Sequence, residues 1–517
     1  MKKISPILIL IVILLLIGVT DASYLTYEHY RDFLPPCSNN IFLDCGRVLR
    51  SQYSVVFGIP LAVLGLIHYI ILTMLIVFSV IKKKHWLTDL IFLLSAAGVV
   101  VSLYLVVLQL FVIRSVCFYC MLSALNSVLL YFLIRYYFWP QYQRLFFIKQ
   151  GFLYRTIIKP LFFLVDAELV HVSMVNFGAQ LGNISVTRGL IKRFYTYDNQ
   201  MLRQKVAGIV FSNPIGLSAG FDYEAKLTSV LPAIGFGFET VGTITNRPYE
   251  GNVKPRLGRL PKSQSLLVNK GFKSEGAEVI SKRLESKRFA FPVGISIGRT
   301  NIATFKKQKE AVQDIVQAFH KFEKSKVKHT YYELNISCPN LIGGISFYPL
   351  PNLKELLDEI KKLHLEKPVF VKMPIEKNDQ EVRGMLDLIT NYQVAGVIFG
   401  NLQKDRRNPV FDRQEIVFWK GKIGHFSGKP TYKRSNELIS LAYRHYHQKL
   451  VVIGCGGVFT AQDAYTKIKL GASLVELITG MIYQGPQLIG EINLQLVDLL
   501  KNDGLKNISQ AVGIENR

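Results

Sequence analysis

Charge is missing from four long stretches near the start of this chain. Residues 4–20, 55–81, 90–113 and 115–134 hold no formally charged side chain. Each is long enough to span a hydrocarbon core, which takes about 20 helical residues. A small-x-small cleavage pattern is missing after the first stretch, and further apolar stretches follow. The first therefore reads as a retained helix rather than a removed signal peptide. Cysteine is scarce and uneven: Cys37, Cys45, Cys117 and Cys120 come early, and only Cys338 and Cys455 follow. That split suggests two redox environments in one polypeptide. Nucleic-acid motifs and an Arg-rich arm are absent despite a net charge of +25. The excess of basic residues is therefore read as belonging to the cytoplasmic face of a membrane, with no nucleic-acid partner.

What is present agrees with a membrane protein. Half of the residues are hydrophobic, and 517 residues are too many for one ordinary domain. "MKK" precedes the first apolar stretch, "KKKHW" separates the second from the third, and "RYYFWPQYQR" follows the fourth. The positive-inside rule makes these flanks cytoplasmic. The loop at 21–54 and the turn at Arg114 then lie outside, with all four early cysteines at or near the outer face. Everything after about residue 140 is cytoplasmic on this reading.

From Ala207 the pattern changes to short β-rich runs that end in Gly, Ser or Asn and alternate with helical stretches. Eight are found: "NPIGLSAG", "FETVGTI", "FPVGISIG", "TYYELNIS", "KPVFVKMP", "GVIFGN", "LVVIGCGG" and "LVELITG". They predict a parallel α/β (β/α)8 TIM barrel with its chemistry at the C-terminal strand ends. The expected organisation is a four-helix transmembrane bundle at 1–140, a membrane-associated helical extension at 141–206, and the barrel at 207–517.

The pair in "CFYC" (117–120) is open to zinc binding, to a redox disulfide, or to neither. One early pair lies in a loop and the other at a membrane helix end, without the close pairing of two zinc knuckles. An outward position lets disulfides persist. A relay by thiolate attack on a disulfide is the favoured reading, and a quinone suits it as acceptor. Cys37 and Cys45 with seven residues between them, Ser51, "FG" before a span, and CxxC opening the last span resemble the vitamin K epoxide reductase family. The resemblance covers about residues 1–138. It implies that Cys117 and Cys120 form the quinone-side pair, with Cys120 nearest the quinone, that Cys37 and Cys45 shuttle, and that Ser51 lies beside the quinone ring. Bacterial relatives often carry a thioredoxin-like domain after the spans. None is found here, which implies a separate extracytoplasmic thiol oxidoreductase as partner.

"YYELNISCPN", "NPIGLSAGFD", "PRLGRLP", "VKMP", "FSGKP", "IGCGG" and "GASLVELITG", in that company, resemble dihydroorotate dehydrogenase from about residue 150 onward. "LYRTIIKPLFFLVDAELVH" is similar to the membrane-facing extension of the quinone-dependent class. The resemblance implies FMN, with Gly428, Gly456, Gly457, Thr479 and Gly480 near its phosphate, and Ala219, Gly220, Thr243, Ser296 and Ser427 beside it. Glycines at strand ends let backbone N–H groups approach a phosphate. Lys372 would lie by the flavin ring. Asn335, Asn340, Asn401 and Phe272 would hold dihydroorotate or orotate, and Cys338 would be the base. No metal is expected.

Several residues depart from that family. Tyr223 stands where a substrate-holding Lys usually follows "GFD", and Lys226 is the candidate replacement. The Asn of "LVNKGF" is offset by one residue. Ser296 and Leu402 replace the usual Asn and Thr. Cys338 stands where quinone-dependent members usually have Ser, and Cys455 reads as structural. The leading expectation is a plasma-membrane fusion of an orotate-forming flavoenzyme with a thiol-oxidising, quinone-reducing domain. The alternatives are another reduced heterocycle as substrate, and a transmembrane part that is only an anchor.

Overall fold

The computed structural model describes residues 5–31, 37, 43–82 and 85–516. Lys2, Lys3, Lys83 and Lys84, which carry much of the orientation argument, lie outside the described residues. The chain divides into two compact units, residues 1–146 and 147–517.

The first unit is built on four apolar helices long enough to cross a membrane. They are α1 (Pro6–Arg31), α3 (Leu61–Lys82), α4 (His85–Val107) and α5 (Phe118–Tyr137). A short α2 (Cys45–Leu49) precedes the hairpin of β1 (Val55–Val56) and β2 (Ile59–Pro60). The second apolar stretch thus enters a hairpin before its helix begins at Leu61. The first continues as helix past Asp21 to Arg31, because its acids face inward: Glu28 is buried.

Ile11, Leu15, Ala22 and Leu25 recur at helical spacing and form the buried stripe of α1. Gly18 sits on that stripe, where a Cβ would fall 2.5 Å from the Tyr69 ring. Glycine therefore lets α3 approach. The Tyr69 hydroxyl lies 3.0 Å from that of Ser127, and Asn126 Nδ2 donates both to Tyr69 Oη and to the Leu14 carbonyl. This polar knot joins α1, α3 and α5. On the other faces Leu16, Leu93, Phe111 and Phe132 are each more than half exposed, as lipid-facing side chains are.

In the second unit, eight parallel strands close into a barrel. They are β5 (Ile215–Leu217), β6 (Phe238–Ile244), β9 (Val293–Ile297), β10 (Tyr331–Asn335), β11 (Val369–Met373), β12 (Gly396–Phe399), β14 (Val451–Cys455) and β15 (Leu474–Leu477). All eight β-rich runs become barrel strands, and the fold is a TIM barrel. The lower interior is apolar, filled by Phe238, Tyr331, Phe370, Ile398, Ile453 and Leu474. The hairpin of β3 (Gln204–Val206) and β4 (Ile209–Phe211) packs Val206 and Phe211 into the same cluster. A three-stranded sheet of β7 (Leu257–Leu260), β8 (Ser265–Val268) and β13 (His425–Gly428) is separate from the barrel. The helical extension belongs to this compact unit. It comprises the end of α6 (Trp139–Leu153), α7 (Lys159–Phe163), α8 (Ala167–Asn183) and α9 (Ser185–Tyr195).

Candidate functional sites

The cysteines of the first unit meet in one cluster. Cys37 and Cys45 form a disulfide, while Cys117 and Cys120 are free thiols. Cys45, Val48 and Cys117 are buried together, with Cys37, Tyr119 and Cys120 packed against them. Two backbone contacts hold the pairs in place. Leu43 bridges to Val116, and Asp44 N donates to the Val116 carbonyl at 3.1 Å. Arg114 adopts a left-handed conformation, and Gln109 Oε1 accepts from Cys117 N at 2.8 Å. Cys117 caps α5, its Sγ accepting from Cys120 N at 3.5 Å. A helix N-terminus favours a thiolate. The Ser51 hydroxyl donates to the Val48 carbonyl at 2.8 Å, which fixes it against the turn after α2. Among the described residues, no group of three or more His, Cys, Asp or Glu side chains is placed to hold a metal.

In the second unit a cavity of about 570 Å³ runs from the barrel mouth to the helical extension. Of the sixteen barrel residues expected to hold substrate or flavin or to act as base, all but Ser296 line it. Ser296 is fully buried, donates to Glu333 at 2.6 Å and lies 2.9 Å from the Thr243 hydroxyl, so it acts from behind the wall.

One end of the cavity is shaped by small residues. Gly428, Gly456 and Gly457 have φ of 86°, 100° and 73°. A Cβ at Gly456 would strike the Thr431 hydroxyl, and one at Gly457 would meet Tyr432 Cβ at 2.5 Å. Ser427 and Thr479 share a hydrogen bond of 2.8 Å beside them. Bare backbone and hydroxyls at strand ends make a fitting cradle for a phosphate group.

The polar centre comes from strand register. Asn335 pairs with Lys372 across β10 and β11, so both project at the barrel mouth. Asn335 Nδ2 donates to Thr243 Oγ1, its Oδ1 accepts from Ser337, and Asn401 Nδ2 donates to Ser337 Oγ. Asn340 Nδ2 donates to the Val268 carbonyl, leaving its buried Oδ1 without a partner. Lys372 Nζ donates to Ser218 Oγ at 2.8 Å and lies 3.5 and 3.8 Å from Glu333 and Glu476. Burial opposes its charge, but the two carboxylates outweigh burial and hold the ammonium above its usual range. Burial raises Glu476, Asp222 and Glu239, and the negative charge of Asp222 lifts Glu239 further. Cys338 is half-buried, and its removal from water pushes the thiol up to about 11, with Asn340 N–H and Arg299 opposing the shift. Cys455 points its Sγ to Ser218 Oγ at 3.5 Å and reaches the cavity wall.

The other end is apolar. Ile158, Phe162, Val170, Met174, Phe177 and Leu181 of the extension face Leu227, Val230 and Ile478. His171 and Arg259 are among its polar residues. His171 is held neutral by burial and by Lys270 and Lys273, and stacks on Tyr223 with ring centroids 5.5 Å apart. Arg259 donates to the Val165 carbonyl and covers the Phe163 ring. Sequence reasoning singled out the extension but not these two residues. The signal that could have found His171 is a lone histidine among the apolar residues of α8. Lys226 does not serve as the replacement for Tyr223: it pairs with Glu224 at 2.5 Å and is absent from the cavity wall.

A TIM barrel with a strand-end cradle that fits a phosphate, a buried lysine and an apolar annex defines the class of fold and site to which this unit belongs. Residues 201–500 match the dihydroorotate dehydrogenase family, and residues 9–134 match the vitamin K epoxide reductase family. The chain belongs to the dihydroorotate dehydrogenase family. It is 31% identical over 384 residues to the dihydroorotate dehydrogenase (quinone) of Trichodesmium erythraeum (strain IMS101), covering 71% of this chain and 99% of that protein. It is 34% identical over 350 residues to the enzyme of that name from Christiangramia forsetii, covering 67% and 99%. A crystal structure of DHODH from Eimeria tenella in complex with ferulenol superposes with a TM-score of 0.60 at 27% identity, over 68% of this chain and 96% of that one.

Proposed function

We propose that the barrel oxidises dihydroorotate to orotate, with FMN as cofactor and a membrane quinone as final acceptor. What carries the reading is one continuous cavity that joins the asparagine-rich strand ends to the apolar extension. FMN supplies a two-electron acceptor between a polar substrate and an apolar quinone. The strand-end glycines leave room for its phosphate. Lys372 puts a positive charge at the barrel mouth, and Glu333 and Glu476 hold that charge in place. Asn335, Asn340 and Asn401 offer amide groups to the substrate ring. Cys338 takes the proton from C5 as the C6 hydride departs. Its thiol ionises far more readily than a serine hydroxyl, although burial makes it a weak acid at neutral pH. The overall change is dihydroorotate plus quinone to orotate plus quinol. The test is the visible absorbance spectrum of purified protein. A flavin spectrum that bleaches on adding dihydroorotate is expected. A flavin that bleaches only with another reduced heterocycle would favour the reading suggested by Tyr223.

The same proposal extends to the first unit, as a thiol:quinone oxidoreductase at the outer face of the plasma membrane. The Cys37–Cys45 pair takes electrons from a separate thiol protein and exchanges with Cys117 and Cys120. Those two thiols then reduce quinone, losing two electrons and two protons as their disulfide forms. Support comes from the clustering of all four cysteines and from the bridge that pins the loop to the CxxC segment. A mere anchor needs neither.

A further inference from the structure

We infer that Lys270 is the cation that binds the substrate's carboxylate, taking the place that Tyr223 vacates. This rests on the dihydroorotate reading above. Along β8 and beyond it, Leu266, Val268 and Lys270 alternate onto the cavity wall. The intervening side chains turn away. Leu267 joins a separate apolar cluster, and Asn269 bonds to Asn252 and to the Val253 carbonyl. The offset of the asparagine in "LVNKGF" therefore places a lysine, not an amide, toward the ligand.

Lys270 is only 8% exposed, and its Nζ has no hydrogen-bond partner. A buried ammonium without an anion is costly, and it signals a missing partner. The nearby carboxylates are already engaged. Glu168 pairs with Arg256 at 3.3 Å, and Glu224 pairs with Lys226. Lys273 adds a second positive charge. Lys372 is balanced by two glutamates and is not free to serve. The Lys270 ammonium rests 4.3 Å from the centre of the Tyr223 ring, which supports a cation without neutralising it. The segment is also tied to the substrate asparagines, since Val268 accepts from Asn340 Nδ2.

The groups facing this ammonium are Glu168, Glu224, Lys273, Arg256, His171 and Tyr223. Burial, with the help of Lys273 and Arg256, brings Lys270 down to about 7. An anion that binds only the protonated form loses affinity above that pH, by up to tenfold per unit.

The experiment uses full-length protein in detergent and labelled orotate in equilibrium dialysis. Lys270→Met is expected to bind orotate roughly 10- to 100-fold more weakly, the usual loss of a charge-assisted hydrogen bond. KM for dihydroorotate should rise in step. The variant should melt no lower than the wild type, because an unpaired buried charge has been removed. Lys270→Arg should recover part of the affinity, and the fall in orotate binding above pH 7 should vanish in Lys270→Met. Unchanged orotate affinity in Lys270→Met would overturn the assignment while leaving the enzyme reading intact. A wild-type protein that does not bind orotate at all would overturn both.

Discussion

The Lys372 ammonium and the Glu333 carboxylate meet at 3.5 Å inside the barrel, where neither side chain is more than 4% exposed. Removing one partner of a buried pair leaves the other charge uncompensated, at about 3 kcal/mol or more. Lys372→Met should therefore unfold at lower urea than the wild type at pH 8. The deficit should shrink toward pH 5. Glu476 already titrates above its unfolded value, and loss of the ammonium raises it further. A carboxyl with a raised folded pKa adds stability below its unfolded value and loses it as pH rises through the folded one. A deficit independent of pH would show that the ammonium does not balance these acids.

Cys338→Ala should keep its bound flavin and lose flavin reduction by dihydroorotate, by on the order of 100- to 10,000-fold. The thiol titrates near 11. In the wild type, with dihydroorotate saturating at each pH, the reduction rate should therefore climb about tenfold per pH unit from pH 7 to pH 9, as the thiolate fraction does. Stopped-flow absorbance across that range checks both. A flat profile in the wild type, or near-normal reduction in the variant, would remove Cys338 from the mechanism.

Gly457→Ala forces a side chain into a backbone with φ of 73° and into Tyr432. A left-handed non-glycine residue costs roughly 1–2 kcal/mol, which corresponds to about tenfold in flavin affinity. The flavin-to-protein ratio after dialysis should fall accordingly. An unchanged ratio would place the phosphate elsewhere.

Much of this architecture was legible from local pattern. The barrel strands announce themselves because six of the eight β-rich runs stop at a Gly, Ser or Asn. Four of those stops, Gly220, Asn401, Gly457 and Gly480, line the cavity. What failed to show is what depends on partners far away in the chain. The counter-ions of Lys372 come from β10 and β15, and no local signal links them to β11. Lys226 looked available because Glu224 gives no hint, in sequence, of being its partner. Asp21 looked like the end of a span, yet an acid on the inner face of a bundle does not stop a helix. Lys270 was readable in principle from strand alternation, but only once Val268 was known to face inward.

Cys120→Ala should abolish thiol-dependent quinone reduction and leave dihydroorotate-dependent quinone reduction largely intact. Both rates are measured by quinone absorbance on one preparation. Loss of bound zinc together with unfolding would support a metal site instead. Failure of both activities in a folded protein would mean that the two halves are coupled.

The orientation read from basic flanks predicts that Cys37, once reduced, reacts with a membrane-impermeant thiol reagent in intact cells. A tag placed after Arg517 should be protected from external protease. A tag accessible from outside would reverse the topology.

The crowding of acids in the barrel has a consequence for how the protein comes into being. Asp222, Glu239 and Glu476 all lie above their ordinary range inside the fold, and Lys372 faces Glu476 and Glu333. In the newly made chain at neutral pH these carboxyls are ionised. Closing the barrel near pH 7 therefore takes up hydrogen ion at Glu476, which titrates at about 7 inside the fold, and folding is in part an acid–base reaction. Its measured heat will carry the ionisation enthalpy of whatever buffer donates those ions. A more alkaline medium will therefore oppose this protein's assembly, apart from anything it does to the chemistry.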